Sequence, residues 1–259
     1  MKPISVMVCG EVVEVLKQLD EDSVDVIITS PPYNIGYASQ KQLGSDLKGH
    51  LYGDDNKDFM DEAQYQAWMV EVLNELYRII KPTGSLFFNH KDRTKITVRN
   101  DSGNLVKKTQ VFVSPMDFIS QTQWKVKQRL IWNRRTTHQQ NPHMFTPIHE
   151  DVYWLVKNPR KVVKNRITMP TVFETQREGR KLHPAPFPVE LPKRLIECVA
   201  PDEATVLDPF VGSGSTLVAA TELGYWSVGI DIVERYIEMS AERVREQGGE
   251  PLILGLEDL

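Results

Sequence analysis

The sequence predicts an α/β fold, a sheet with helices on both of its faces, and three observations predict it. Short apolar runs alternate with stretches of helical periodicity along most of the chain, the pattern of a sheet covered by helices. One of those runs ends abruptly in Ser30-Pro31-Pro32-Tyr33. Far downstream, a strand, a glycine-bearing turn, a helix and a second strand ending in an acid follow one another between Thr205 and Asp231.

From the N-terminus, the first strand is expected near 5–8 and the second at Val24–Thr29. Pro31 and Pro32 have no N–H for a sheet ladder, so the second strand must stop there. Its last carbonyls, the Ser30 hydroxyl and the Tyr33 ring then face the space beyond its end, where ligands bind in open α/β sheets. A hydroxyl, unpaired carbonyls and an aromatic face suit a planar group that carries an amine. The polar, glycine-bearing segment 34–57 has the length of a functional loop. Residues 61–80 form an amphipathic helix, with Tyr65, Trp68, Met69, Val72, Leu73, Leu76, Ile79 and Ile80 at helical spacing. That stripe reads as core and not as a platform for stacking bases. Pro82 and Gly84 end the helix, and a strand follows at Ser85–Asn89.

Residues 91–110 read as a basic hairpin or loop turning at Asn100-Asp101-Ser102-Gly103, and Phe112–Thr122 as a short helix. Strands are expected at Arg129–Trp132 and Asp151–Val156. Between them, 134–146 carries His138, Gln139, Gln140, Asn141 and His143, residue types that contact base edges or simply make a wet loop. Residues 157–182 are basic and without periodicity. Downstream, Thr205–Asp208 is a buried strand and 209–215 a turn. Thr216–Leu223 is a helix stopped by Gly224, and Trp226–Ile230 is a strand that ends in Asp231. Glycines let the backbone approach a ligand closely, and a helix N-terminus favours a negative group nearby. Asp231 is placed to accept from ribose hydroxyls. Alone, the unit is also what an ordinary small helix–strand turn looks like. No Gly-Lys-Ser/Thr follows its glycines, so it is not a triphosphate loop. Val233–Gln247 is the last helix.

Composition sets outer bounds. A chain of 259 residues can bury a full core. No run of eighteen apolar residues is present and the N-terminus lacks a signal-peptide pattern. Two cysteines, Cys9 and Cys198, make neither a disulfide framework nor a zinc site, and the six histidines have no ligand spacing, so no metal is implied. A reducing cytoplasm is the expected compartment. The net charge of −4 hides a strong segregation. Residues 121–182 carry thirteen Lys/Arg against four Asp/Glu, whereas 202–259 carry three against twelve. Arg134, Arg135, Lys161, Lys164, Arg166 and Arg180 belong to the basic segment and are candidates for phosphate contacts. An ordinary solvated face is the competing reading for any one of them.

Together, Ser30-Pro31-Pro32-Tyr33 and Asp208-Pro209-Phe210-Val211-Gly212-Ser213-Gly214 resemble the paired signatures of the S-adenosylmethionine-dependent DNA amino-methyltransferases. The catalytic signature comes first and the cofactor signature last, the order of the permuted β group. Cys9-Gly10-Glu11, Lys81–Phe88 and His183–Pro188 resemble further segments of the family, and the resemblance spans about residues 4–247 apart from the middle. It implies a Rossmann-like methyltransferase with a seven-stranded, mostly parallel sheet carrying one antiparallel strand. Residues 1–133 would be the catalytic half, 134–182 a target-recognition insert and 183–259 the cofactor half.

The resemblance also implies residue roles. Ser30, Pro31, Pro32 and Tyr33 would form the catalytic pocket, with the Ser30 hydroxyl and the Pro31 carbonyl accepting the two amine protons and Tyr33 stacking on an extruded base. Asp208, Phe210, Gly212, Ser213 and Gly214 would form the cofactor loop, and Asp231 would bind the ribose. Phe187 and Pro188 would border the methionine part, and Gly10 and Glu11 the adenine. The family usually has Asp where Glu11 stands, and many relatives have Thr where Ser215 stands. Ser at the head of the tetrapeptide is commoner among N4-cytosine enzymes and Asp among N6-adenine enzymes, so N4 of cytosine is the expected target and N6 of adenine the alternative. Neither cysteine lies in the Pro-Cys context that carbon-5 methylation would use. Double-stranded DNA is the expected partner, with a homodimer and a cognate restriction endonuclease as further partners, in a prokaryotic or phage-like cytoplasm. RNA or protein-amide methylation, a catalytically dead scaffold and a nicotinamide-dependent oxidoreductase are the competing classes. The first usually leads its tetrapeptide with Asn, the second would lose Ser30, Tyr33 or Asp231, and the third has no need of Ser-Pro-Pro-Tyr.

Overall fold

In the computed structural model, residues 3–34, 60–101, 104–135, 145–160, 169–175 and 188–258 are described. The strands are β1 (Ile4–Cys9), β2 (Val24–Thr29), β3 (Ile80–His90), β4 (Arg93–Asp101), β5 (Asn104–Val113), β6 (Lys125–Asn133), β7 (His149–Val156), β8 (Val172–Glu174), β9 (Thr205–Asp208), β10 (Trp226–Asp231) and β11 (Glu250–Leu254). The helices are α1 (Val12–Gln18), α2 (Glu62–Ile79), α3 (Met116–Ile119), α4 (Glu190–Val199), α5 (Ser215–Glu222) and α6 (Glu234–Glu246). The main sheet runs β11-β1-β10-β9-β2-β3-β7-β6-β8, and β4 with β5 forms a separate hairpin.

Side chains alternate between the two faces of a strand, and here both faces are covered. Val8, Ile27, Leu86, Phe88, Leu207 and Ile230 pack against α1, α2 and α3. Their neighbours Val26, Ile28, Phe87 and Val206 point the other way, onto α4 and α5, and Met7 packs on α5 and α6. Strands buried on both faces read as continuous apolar runs, which is why β2 was visible in the sequence. The stripe of α2 from Tyr65 to Ile80 is core, as its spacing indicated.

Among the described residues the sheet has nine strands, not the seven expected. The two additions are its edges. β11 pairs with β1 and is half exposed, and the three-residue β8 pairs with β6 and buries only Phe173. Neither has enough apolar length to signal itself. The mostly parallel character holds, with β7 the single strand among the described residues that runs antiparallel to its neighbours, β3 and β6. Both β7 and β8 lie within 134–182, so that segment contributes two strands to the sheet.

Three boundaries differ from expectation. β3 begins at Ile80 and passes through Pro82 and Gly84, because Val24 pairs with Ile80 and Val26 with Ser85, leaving residues 81–84 in an irregular stretch where Pro82 owes no ladder N–H. The helix expected over Phe112–Thr122 is confined to Met116–Ile119, since Phe112 and Val113 extend the hairpin. Helix α4 was not anticipated. Pro192 lies in its first turn, where a missing N–H costs nothing, and Leu191, Leu195, Ile196 and Val199 form its buried side. The loop 35–57, the turn residues Ser102 and Gly103 and the segment His183–Phe187 lie outside the described residues.

Gly84 sits where this irregular stretch crosses β2. A Cβ there would lie 2.7 Å from the Asp25 carbonyl oxygen and 2.6 Å from Ile80, and the Asp25 backbone is held in the sheet. Gly84→Ala is therefore expected to lower stability by about 1–3 kcal/mol, read from the denaturant midpoint. An unchanged midpoint would mean that the stretch relaxes freely.

Candidate active site

β2 and β9 lie side by side and parallel, yet the chain leaves them in opposite directions. From β2 it passes through α2 on one face to β3, and from β9 through α5 on the other face to β10. This divergence opens a crevice beyond the carboxyl ends of the two strands, the usual ligand position in such sheets. The topology thus sets the Ser30–Tyr33 turn after β2 beside the glycine loop after β9.

Buried acids shape the glycine loop. Asp208 is sealed from solvent and accepts from the Phe210 N–H (3.1 Å) and the Thr216 hydroxyl (2.7 Å). Burial pushes its pKa up to about 6, with the Asp231 charge adding to the rise against these hydrogen bonds. Asp208 therefore braces the loop from below. Asp231 sits at the end of β10, partly exposed. Its carboxylate accepts from the N–H groups of Gly212 (2.9 Å) and Val233 (3.0 Å), and burial raises it to about 6 despite them. Gly214 stands at φ 80°, where a Cβ would meet Ser240 at 2.8 Å. Ser240 Oγ donates to the Gly212 carbonyl and Arg243 Nη1 to the Ser213 carbonyl, so α6 holds the loop from outside.

The Gly10 N–H donates to the Asp231 carbonyl at 3.0 Å, which brings the end of β1 to the same place. Glu11 has a use that the sequence did not reveal. Its Oε2 accepts from the Val13 and Glu14 N–H groups and caps α1, while Oε1 accepts from Trp68 Nε1 at 3.2 Å. Trp68 in turn meets Phe210 edge-on, with centroids 5.7 Å apart. Pro188 is buried at the start of α4 and its carbonyl accepts from Leu191. Phe187 lies outside the described residues.

Beyond β2, the Pro32 carbonyl accepts from Tyr65 Oη at 2.7 Å. His90 Nε2 lies 2.9 Å from Tyr65 Oη. His90 Nδ1 lies 2.9 Å from both the N–H and the carbonyl oxygen of Lys91. His90 is neutral: burial first, then the Arg93 charge, lowers its pKa to about 3. Arg93 is itself buried, forked onto Glu62 (3.0 and 3.2 Å) and lying over the Tyr65 ring. The His90 ring backs Tyr33 with centroids 4.6 Å apart.

Ser30 and Tyr33 meet at 2.9 Å between hydroxyls. Tyr33 Oη donates to Glu150 Oε2 at 3.1 Å, and Asn89 Nδ2 lies 3.0 Å from each of these two atoms and 3.4 Å from Ser30 Oγ. Burial and the nearby Glu150 charge raise the Tyr33 phenol well above its usual range. Asn89 Oδ1 is buried with no hydrogen-bond partner among the described residues. Arg134, assigned to phosphate on charge alone, is placed by the structure against Glu150, with Nη1 at 2.6 Å from Oε1, and both side chains are largely buried. Arg135 pairs at the surface with Glu174. Lys161, Lys164, Arg166 and Arg180 lie outside the described residues.

Sequence reasoning missed Tyr65, Asn89, His90 and Glu150 as site residues. Asn89 and His90 carried a signal, a polar pair ending an apolar strand just as Ser30 does. Glu150 carried none, because its position depends on β7 running antiparallel and so delivering its first residues to the edge where parallel strands end.

A family model described as DNA methylase, of the N6/N4 class, matches residues 24–242. Type II methyltransferase M.HpaI of Haemophilus parainfluenzae is 31% identical to the chain, over 92% of its length and 73% of the relative's. DNA adenine methyltransferase YhdJ of Escherichia coli (strain K12) is 23% identical, over 91% of this chain and 81% of that one. Among solved structures, a putative DNA modification methylase of Thermus thermophilus, complexed with S-adenosyl-L-methionine, superposes with a TM-score of 0.69 at 22% identity, covering 97% of this chain and 98% of that one. The cytosine-N4-specific PvuII DNA methyltransferase does so with 0.68 at 18%, covering 97% of each chain.

Breaking one side of a buried ion pair leaves the other charge uncompensated. Arg134→Met is thus expected to lower stability by about 3 kcal/mol in denaturant unfolding. A loss typical of exposed surface pairs would show that Glu150 does not depend on Arg134.

Proposed function

The chain belongs to the N6/N4 DNA methylase family, and we propose that it transfers a methyl group from S-adenosylmethionine to the exocyclic amine of an extruded DNA base, N4 of cytosine. The observation that carries this reading is the adjacency of an amine-accepting turn after β2 and a glycine loop after β9, on the two sides of one crevice. Support for the donor half comes from the chemistry of its residues: a partly exposed carboxylate at Asp231, a loop at Gly212 and Gly214 whose backbone a ligand can approach, and the aromatic edge of Phe210. In this reading Asp231 accepts from the ribose hydroxyls, and Gly10, Glu11, Trp68 and Phe210 border the adenine.

Bound S-adenosylmethionine supplies an activated methyl group on a sulfonium. The chain's residues have to make the amine a nucleophile, since its lone pair is shared with the aromatic ring. The Ser30 hydroxyl and the Pro31 carbonyl accept hydrogen bonds from the two amine N–H groups and draw the nitrogen toward tetrahedral geometry, and the methylated amine then loses one proton to solvent. The Pro32 carbonyl, held by Tyr65, is turned away from this task. Tyr33, backed by His90, stacks on the base, a contact worth about 1–3 kcal/mol. Aligning donor and acceptor lowers the barrier by roughly 7–11 kcal/mol, so no covalent enzyme intermediate is required.

The basic middle of the chain supports phosphate contacts through Lys161, Lys164, Arg166 and Arg180. Arg135 can join them, because an exposed pair such as Arg135–Glu174 is weak and exchangeable. Pairing of two copies through the catalytic half and a partner endonuclease complete the reading. Ser30 favours cytosine. The relationship to an adenine methyltransferase favours N6-adenine as the second reading.

Nucleoside chromatography with mass spectrometry on DNA treated with protein and S-adenosylmethionine tests the reaction. N4-methylcytosine is expected. N6-methyladenine would keep the chemistry and overturn the base, and no methylated base across varied sequences would overturn both. A second test concerns pH. A cationic ligand with hydroxyls aimed at Asp231 favours its ionised form, so binding lowers a pKa that starts near 6. Affinity for S-adenosylmethionine is then level above that pH and falls below it, by at most about tenfold per pH unit. Asp231→Asn should flatten the fall in calorimetry, and an undiminished fall would transfer the linkage to Asp208.

A further inference from the structure

We propose that Glu150, clamped by Arg134, is a positioning residue that makes the Ser30 hydroxyl an acceptor for the target amine. The proposal rests on the amine-transfer reading above and concerns the direction of a hydrogen-bond chain. A serine hydroxyl can donate or accept, whereas a carboxylate only accepts. Tyr33 Oη is 3.1 Å from Glu150 Oε2, so the phenol proton points to Glu150. The 2.9 Å contact between Tyr33 and Ser30 then leaves Ser30 as its donor. Asn89 Nδ2 reinforces the same direction, because it only donates and faces Glu150 Oε2, Tyr33 Oη and Ser30 Oγ.

With its proton turned to Tyr33 and one lone pair facing Asn89, Ser30 Oγ presents its other lone pair to an incoming N–H. The opposite direction would set an O–H donor against the amine donor and repel it. Arg134 secures the far end, with Nη1 on Glu150 Oε1 at 2.6 Å and Nη2 on the Pro147 carbonyl at 3.2 Å. The strand arrangement explains why the acid comes from β7. Glu150 lies opposite Trp132 of β6, one residue from the pairing of Asp151 with His90 of β3, and so reaches the Ser30 edge from the antiparallel strand.

Glu150→Gln is nearly isosteric and reverses the chain. Arg134 would take the amide oxygen and leave the amide N–H groups facing Tyr33 and Asn89, so the Tyr33 proton would turn to Ser30. The first readout needs no turnover. In protein labelled with 13C at tyrosine Cζ, the Tyr33 resonance is assigned by Tyr33→Phe. It is expected to move in Glu150→Gln while the other tyrosines hold. The second readout is kinetic. kcat on DNA should fall about 10- to 100-fold, the range for one lost charged hydrogen bond, with the calorimetric Kd for S-adenosylmethionine unchanged. In the Tyr33→Phe background, Glu150→Gln should add little, because the chain is already cut. A Tyr33 resonance that stays in place would overturn the proposal. So would additive losses in the double variant, which mark a merely structural role. If the wild-type protein methylates no DNA, the amine-transfer reading fails on its own, and the resonance still decides the direction of the chain.

Discussion

Pro31 and Pro32 cannot donate to a sheet ladder, and the Pro32 carbonyl is taken by Tyr65 Oη at 2.7 Å. These two facts fix where β2 ends and which way its last peptide groups point. The rest of the amine pocket is assembled around that turn. His90 meets Tyr65 and backs Tyr33, Arg93 lies over the Tyr65 ring, and Glu62 pairs with Arg93. A turn held by a buried chain of polar groups is costly to build, because each member must be satisfied. It is stiff for the same reason, and stiffness is what an aligned displacement needs.

The other side of the crevice is built differently. Its glycine loop has few side chains to hold it, so acids hold its backbone: Asp208 beneath and Asp231 at the rim, with Ser240 and Arg243 reaching in from α6. Both carboxyls are raised to about 6 by burial, but only Asp231 keeps a face toward solvent. The two acids of one sequence unit thus divide into a brace and a candidate ligand contact. Glu11 divides in a similar way between capping α1 and meeting Trp68.

Much of this was legible in the chain. β2, β9, β10, α2, α5 and α6 were readable because each is apolar over its full length or at one period, with sharp ends: two prolines after β2, Asp61 capping α2, Gly224 beyond α5. The Ser30 turn and the glycine loop were readable for the same reason, since each interrupts a strong pattern. Edge strands β8 and β11 were not, having one face or less to bury. Arg134 shows the limit of charge as a guide. Its formal charge matches a basic segment, but its partner Glu150 is sixteen residues away and meets it only after β6 and β7 pair. Glu150 is the residue for which topology, and nothing local, decides the role.

The central claim is that two separable half-sites, one for the methyl donor and one for the amine, face each other across the β2–β9 crevice. Calorimetry with S-adenosylmethionine on Asp231→Ala and Tyr33→Ala tests it most directly, read beside the turnover of each variant on DNA. The account predicts that Asp231→Ala loses affinity for the donor, while Tyr33→Ala keeps it and loses turnover. Equal loss of donor affinity in both variants would contradict the division into two half-sites.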